Sequence, residues 1–223
     1  MPNTRPTTQR LALTVAVAAA SLAPLGAASA KDLQTLVVAG GCFWCVEADF
    51  ESVPGVVEAV SGYTGGHTDK PTYKQVTGGN TGHYEAVKIT YDAEVVGYQR
   101  LIHLFFRSID PLDAGGQFCD RGSSYRTAIF VANDAQRAIA QAELDAAQKA
   151  LGKPIVTPIL DAAPFTVAED YHQDYYKGGG WVFTRGGPKS QVDAYKFYRE
   201  GCGRDARVRQ LWGTDAPFVH HRE

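Results

Sequence analysis

Leu36-Val37-Val38-Ala39-Gly40-Gly41-Cys42-Phe43-Trp44-Cys45-Val46-Glu47 is the stretch whose reading decides both fold and chemistry. Its four apolar residues, Leu36 to Ala39, read as a short buried strand. Two glycines then let the chain turn tightly, and a helical pattern follows to about Val53. Cys42 is therefore expected in the first turn of a helix, where partial positive charge and unpaired N–H groups favour a thiolate over a thiol. A lone cysteine is most often a small packed hydrophobe. Packing, however, requires neither the backbone freedom of Gly40-Gly41 nor the large rings of Phe43 and Trp44, so Cys42 is read as a nucleophile. Cys45, three residues on, faces the same side of the helix, and packing explains it equally well.

Downstream, Pro54-Gly55 marks a turn, Val56 to Tyr63 a strand, and Gly65-Gly66 opens a loop that runs through Tyr73. His83 to Tyr91 alternates, with Val87, Ile89 and Tyr91 on one face and Lys88 and Thr90 on the other; parity puts Glu85 on the apolar face. A carboxyl there is unfavourable unless it is paired or protonated, and desolvation raises its pKa toward what a general acid needs near neutral pH. The competing reading is a frayed strand end at which Glu85 reaches water or a salt bridge. Val95 to Arg107 is an amphipathic helix ended by Asp110-Pro111. Gly115 to Ser124 is irregular and carries Cys119, Asp120 and Arg121. Tyr125 to Val131 reads as a strand, Asp134 as the N-cap of a helix to about Leu151, and Ile155 to Leu160 as another strand. Short alternating helices and strands indicate an α+β fold, a two-layer α/β sandwich. Beyond Ala168 the chain is aromatic-rich and interrupted by Gly178-Gly179-Gly180 and Gly186-Gly187-Pro188. An irregular C-terminal tail is expected over about 191–223, with a last helix over Gln191 to Arg199 ahead of Cys202.

The chain has 223 residues. Arg5 and Arg10 make a positive start, Leu11 to Leu25 are mostly apolar, and Ala28-Ser29-Ala30 gives a small-x-small cleavage site, so residues 1–30 are read as a secretory signal peptide. Its removal takes two arginines and no acid, leaving 193 residues with 20 basic and 24 acidic side chains and a formal charge of −4. That balance gives no support to nucleic-acid binding. The length suits one catalytic domain over 31–223, exported to a periplasmic or extracellular space and without a membrane span. His220-His221 reads as a solvated tail rather than a metal site, and the triple glycine lacks the Lys-Ser/Thr of a phosphate loop.

Cys42, Cys45, Cys119 and Cys202 all fall in the mature part. An oxidising compartment makes structural bridges the default for an exported chain, whereas a zinc site would normally use two close cysteine pairs and only one pair here is close. Two rival functions stand on the same residues. Cys42-Phe43-Trp44-Cys45 is a C-x-x-C after a strand, as in thioredoxin-type exchange enzymes, but that reading leaves Glu85, Tyr73 and Tyr125 without a task. A disulfide-stabilised binding module would instead hold four inert, oxidised cysteines.

With Gly41-Cys42-Phe43-Trp44-Cys45-Val46-Glu47, Gly62-Tyr63-Thr64-Gly65-Gly66, Pro71-Thr72-Tyr73, Gly82-His83-Tyr84-Glu85-Ala86-Val87 and Asp120-Arg121-Gly122-Ser123-Ser124-Tyr125-Arg126 in this order, the chain resembles the peptide methionine sulfoxide reductase A family from about Leu36 to Tyr176. The resemblance implies a ferredoxin-like core, no metal or organic cofactor, and reduction of the S epimer of methionine sulfoxide, free or in proteins. It implies Cys42 as nucleophile, Glu85 as proton donor, Tyr73 and Tyr125 as phenol donors, Asp120 in support, and Phe43 and Trp44 as the wall for the S-methyl group. A sulfenic acid on Cys42 would condense with a second thiol. The family commonly uses a C-terminal cysteine on a mobile tail, which ranks Cys202 first, then Cys119, then Cys45, the last because same-face helical residues meet disulfide geometry only with distortion. The alternative for the outer pair is a structural Cys119–Cys202 bridge. Turnover implies a thioredoxin-like electron donor and, outside the cytoplasm, an electron route across the membrane.

Overall fold

A computed structural model describes residues 1–3 and 32–219. Most of the expected signal peptide and the His220-His221 pair lie outside the described residues. Strand β1 (Leu33–Gly40) leads through Gly41 and Cys42 into helix α1 (Phe43–Glu51), and β2 (Val56–Thr64) follows. The connection to β3 (Tyr84–Asp92) contains the short helix α2 (Tyr73–Thr77). Next come α3 (Tyr98–Ser108), a tight hairpin of β4 (Gly116–Gln117) and β5 (Asp120–Arg121), then β6 (Thr127–Val131) and α4 (Asp134–Leu151). Strands β7 (Ile159–Asp161) and β8 (Thr166–Val167) precede a hairpin of β9 (Trp181–Thr184) and β10 (Gly187–Ser190). Helices α5 (Gln191–Gly201) and α6 (Arg204–Trp212) close the described chain.

Six strands form one mixed sheet in the order β7-β6-β1-β3-β2-β8, in which β6 and β7 are parallel and the other neighbours antiparallel. One face buries Leu36, Val38, Val87, Ile89 and Ile129 against Val46 and Phe50 of α1, Leu101 and Phe105 of α3, and Ala140 and Ala147 of α4. Each large apolar side chain so buried contributes roughly 1.5–3 kcal/mol. The other face carries a smaller cluster of Ala39, Tyr84, Ala86, Ala128 and Phe130, partly covered by Leu160 and Phe165. Strand direction then places the site. Because β1 and β2 run opposite to β3 and β6, the ends of the first two meet the starts of the other two along one edge, with Gly40 opposite Thr127 and Tyr63 opposite Glu85.

Several elements depart from the sequence reading for local reasons. Asn133, not Asp134, caps α4: its side chain accepts the Gln136 N–H at 2.9 Å, and Asp134 is the first helical residue. The α3 helix starts at Tyr98 rather than Val95, because the Val95 and Val96 N–H groups close a turn onto the Asp92 carbonyl. The strand expected over 155–160 sits at Ile159–Asp161. Tyr125 ends a single 3-10 turn (Ser123–Tyr125) ahead of β6 instead of opening the strand. Helix α2, expected as loop, is started by a capping box in which Thr72 accepts the Gln75 N–H and the Gln75 side chain accepts the Thr72 N–H at 2.9 Å. The largest correction is the C-terminal segment. The last helix expected over Gln191 to Arg199 is present as α5, but the chain beyond it forms a further helix, α6, rather than an irregular tail, with Arg204, Val208 and Trp212 buried against the core.

Candidate active site

Cys42 occupies the N-cap of α1, with φ −51° and ψ 115°, not its first turn. The preceding Gly41 has φ +80°, and a Cβ there would fall 2.5 Å from the Gln117 Cβ, so only glycine permits this strand-to-helix turn. Gln117 is itself buried, its amide donating to the Asp110 and Gly116 carbonyls at 2.8 and 2.9 Å. At the N-cap, Cys42 is outside the helical backbone while Cys45 is inside it, and the two thiols are hydrogen-bonded to each other.

Glu85 lies on the inward face of β3 and is 1% exposed. Its Oε2 accepts the N–H of Phe43, the first residue of α1, at 3.2 Å, and its Oε1 has no protein partner. Burial pushes its carboxyl up to about 8, Asp120 adds to the rise, and the hydrogen bonds from Phe43 and Tyr125 oppose it. The carboxyl is thus held protonated near neutral pH, in a strand-end position that never reaches water. Tyr125 is hydrogen-bonded to Glu85 and to Tyr73, so the two phenols and the carboxyl form a chain. Burial and the Glu85 charge push both phenols above their ordinary value, which keeps them as O–H donors.

The thiol of Cys42 differs from expectation. Its pKa is raised well above the ordinary value by its hydrogen bond with Cys45, by burial, and by the negative charges of Cys45, Glu85 and Asp120. The free N–H that a helix start offers an anion goes to Glu85 rather than to the sulfur. Cys45 is shifted the other way by its hydrogen bond with Cys42, and the Arg204 and Arg199 guanidiniums reinforce that direction against burial. Both arginines come from the C-terminal helices and neither was singled out in the sequence. Arg204, 2% exposed, donates to the Gly40 carbonyl at 3.2 Å and the Ser108 carbonyl at 3.0 Å. Arg199 pairs with Asp49 at 2.7 Å and donates to the Tyr195 hydroxyl at 2.9 Å.

A third group missed by sequence reasoning is the strap 169–177. Glu169 accepts the Tyr73 N–H at 2.9 Å and the Tyr63 hydroxyl at 2.8 Å, fixing the start of α2. His172, buried and pushed down to about 4 by desolvation, is neutral, and its Nδ1 accepts the Trp44 Nε1–H at 3.2 Å. Tyr175 stacks on Trp44 with centroids 3.7 Å apart. Phe43, Tyr73 and His172 pack ring to ring, with Phe43 6.3 Å from Tyr73 and 5.0 Å from His172.

Cys42, Phe43, Trp44, Cys45, Tyr73, Glu85, Cys119, Asp120, Tyr125 and Cys202 all line one cavity of about 630 Å³. Every site residue expected from the sequence is therefore brought together. Cys119 and Cys202 are joined in a disulfide with Cα atoms 4.8 Å apart, and Cys42 and Cys45 are free. Cys202 is consequently part of a bridged connection between two packed helices, not of a mobile tail. Asp120 is half-buried and its carboxyl is raised by desolvation; its Oδ1 lies 3.9 Å from the Cys119 sulfur, which as a bridge sulfur has no proton to donate. The acids Glu47, Glu51 and Asp174 also converge, but Glu47 accepts from Ser61 and the Asp174 N–H, and Glu51 from Tyr176 and Lys177.

A free thiol at a helix N-cap, a carboxyl held neutral beside it and two phenol donors in an aromatic-walled cavity make a cysteine-based redox site on a mixed α/β scaffold. Residues 34–199 match the family model described as peptide methionine sulfoxide reductase. The chain is 48% identical over 200 residues to peptide methionine sulfoxide reductase MsrA 2 of Caulobacter vibrioides, covering 87% of this chain and 95% of that protein. It is 49% identical over 186 residues to the MsrA of Bacillus subtilis, with 82% and 97% covered. Among solved structures, it superposes on reduced Mxr1 of Saccharomyces cerevisiae with a TM-score of 0.61 at 30% identity, covering 66% of this chain and 86% of that one. On methionine sulfoxide reductase A of Corynebacterium diphtheriae the TM-score is 0.59 at 31% identity, with 66% and 75% covered. The chain belongs to the peptide methionine sulfoxide reductase family.

Proposed function

We propose that this protein reduces methionine S-sulfoxide, free or in proteins, to methionine, with electrons from a thioredoxin-like dithiol. The observation that carries the reading is the buried Glu85 carboxyl, held near pKa 8 and bonded both to the N–H that follows Cys42 and to Tyr125. A sulfoxide sulfur is electrophilic only when its oxygen is protonated or hydrogen-bonded. Glu85 supplies the proton, Tyr73 and Tyr125 hold the oxygen, and Cys42 attacks the sulfur as its thiolate. Neutralising Glu85 also removes one of the negative charges that oppose ionisation of Cys42. Phe43 and Trp44 receive the S-methyl group, and the His172 hydrogen bond keeps the indole in place. Methionine leaves, and the oxygen remains on Cys42 as a sulfenic acid.

Cys45 then condenses with the sulfenic acid, forming a Cys42–Cys45 disulfide and water. It moves ahead of Cys202 and Cys119 as resolving residue because its thiol already touches that of Cys42, whereas the other two are bound to each other. We read the run β1-α1-β2-β3-α3-β6, with β6-β1-β3-β2 at the sheet centre, as a ferredoxin-like core within one catalytic domain over 31–223. The positive start, apolar stretch and Ala28-Ser29-Ala30 support export to a periplasmic or extracellular space, where oxidised surface methionines are the substrates. Among the described residues no helix is long and apolar enough to cross a membrane.

The test is dithiothreitol-driven reduction of dabsyl-methionine S-sulfoxide and R-sulfoxide by the mature chain and its Cys42→Ser variant. Turnover of the S epimer alone, abolished by the substitution, is expected; turnover of neither epimer by the folded, reduced parent would overturn the reading.

A further inference from the structure

The cavity that holds Cys42 and Glu85 is larger than the side chain it would reduce. Its volume of about 630 Å³ is in the range that takes a drug-sized ligand, far more than one methionine sulfoxide side chain fills. Its wall runs from Cys42 and Glu85 out to Phe183, Arg185 and Phe197, all three of them exposed. A residue on either side of an oxidised methionine therefore has wall to meet.

The hairpin β9–β10, which carries Phe183 and Arg185, is fixed from one side. Val182 packs into the cluster of Cys45, Tyr175, Ala194 and Tyr195, the Gly180 carbonyl accepts the Gln191 N–H at 2.8 Å, and the Thr184 hydroxyl donates to the Gly187 carbonyl at 2.7 Å. Parity sends Trp181 and Phe183 the other way, where they are 79% and 91% exposed. Two large aromatics held out by an ordered strand form a contact surface, not a core in need of cover. The charge beside them has one sign. Between Asp174 and Asp193 the chain carries Lys177, Arg185 and Lys189 and no acid. Lys177 is paired with Glu51 and Asp174, and Lys189 lies over the Phe197 ring at 5.2 Å from its centroid. No carboxylate pairs with Arg185 among the described residues.

We propose that Phe183, Arg185 and Phe197 form a rim subsite that selects protein-bound methionine sulfoxide, taking polypeptides with an apolar and an acidic residue beside the oxidised methionine. This rests on the reductase reading above. The occupant follows from continuity: a polypeptide whose oxidised side chain reaches Cys42 must lay its neighbouring residues across the rim of the same cavity. Phe183 and Phe197 offer apolar rings to one neighbour, and the Arg185 guanidinium offers a carboxylate the partner it lacks within the chain. Trp181 stands two residues from Phe183 on the same face of β9, about 6.6 Å along the strand, so it extends the surface to a residue farther from the sulfoxide. Free methionine sulfoxide reaches Cys42 and Glu85 without using any of these contacts.

The experiment compares substrates with dithiothreitol as the reductant, so that no donor protein takes part. N-acetyl-methionine S-sulfoxide is set against acetylated heptapeptides with a central methionine S-sulfoxide flanked by Leu and Asp, by Ser and Asp, or by Leu and Lys. The readout is kcat/KM, which measures the transition state against free enzyme and substrate. The parent should prefer the Leu/Asp peptide about tenfold over Ser/Asp, the size of a modest apolar contact, and about threefold over Leu/Lys, the size of an exposed ion pair. Phe183→Ser should erase the first preference and Arg185→Glu should invert the second. Equal kcat/KM for the three peptides in the parent, or an equal loss on every substrate in Phe183→Ser, overturns the proposal. Sedimentation of the parent should show a monomer; a dimer dispersed by Phe183→Ser would assign the aromatic patch to a second copy of the chain and also overturn it. Turnover of N-acetyl-methionine S-sulfoxide by the parent is read separately, so its absence counts against the reductase reading and not against the rim.

Discussion

Cys42 and Cys45 stand three residues apart at the start of one helix, whereas Cys119 and Cys202 are joined across 83 residues, one at a hairpin tip and the other between two helices. The inner pair is walled by Phe43, Trp44, Glu85 and buried arginines, so its ionisation is governed by burial and fixed charges. The outer pair opens to solvent through Cys119, so its chemistry is governed by who can reach it. In the proposed function the inner pair meets the sulfoxide in a controlled environment, whereas the outer pair stands bridged at the surface.

The sharpest way to break this comparison is Cys42→Ser, which should lower dithiothreitol-driven reduction of the S-sulfoxide by at least about 10⁴-fold, because the attacking thiol at the N-cap of α1 is lost. Cys119→Ser should instead leave dithiothreitol-driven turnover measurable, because it opens the outer bridge and leaves Cys42, Cys45 and Glu85 in place. Equal losses in the two variants would mean that the pairs do not divide the work.

Glu85→Gln should lower kcat by roughly 10²- to 10⁴-fold, the usual contribution of a positioned acid. The parent rate should fall as pH rises through about 8, where the carboxyl loses its proton, and the variant should lack that limb. Stability should move the other way. With its folded pKa raised above the ordinary carboxylate value, Glu85 makes the fold less stable as pH climbs from the unfolded-state value toward about 8. Glu85→Gln should therefore be more stable than the parent at pH 8, by on the order of 2 kcal/mol in urea unfolding, and should show no such gain at pH 4.

Arg204→Met tests whether the C-terminal helices belong to the inner environment. Losing a buried guanidinium that holds the Gly40 and Ser108 carbonyls should destabilise the fold by about 3 kcal/mol, read from the urea midpoint. It should also raise the pKa of the inner pair, read as slower iodoacetamide alkylation at neutral pH, since Arg204 faces Cys45. The smallest effect expected is that of Trp44→Phe. It removes the Nε1–H that satisfies the buried His172 Nδ1, with a cost of about 1–2 kcal/mol and a severalfold rise in KM for the S-sulfoxide.

Legibility in the sequence followed the range of the interactions. Glu85 was readable because strand parity is local: Val87, Ile89 and Tyr91 determine its face. The Gly41 turn was readable because only glycine accepts its backbone. The thiol environment was misread, because the helix start is a local favourable term whereas the raising groups, Cys45 apart, come from β3 and the β4–β5 hairpin. The strap 169–177 was unreadable because its backbone is irregular and its order comes from Glu169, His172 and Gln173 reaching Tyr73, Trp44 and Ser61. Helix α6 was hidden by its polarity, since three of its nine residues are arginines and one of these is buried. One signal was overlooked altogether: the only methionine is Met1, so the described residues 32–219 contain no substrate of their own.

Sequence alone determined the strand–glycine–cysteine–helix unit, the inward carboxyl, the alternating α/β pattern and, through five ordered motifs, the family. Each depends on residues within a turn or two of one another, where backbone geometry leaves few choices. Tertiary structure alone decided that β1 and β2 end where β3 and β6 begin, which gathers Cys42, Glu85, Tyr73 and Tyr125 along one sheet edge. It also decided which cysteines are paired, because a bridge across 83 residues depends on where two remote segments come to rest and not on anything near either cysteine in the chain.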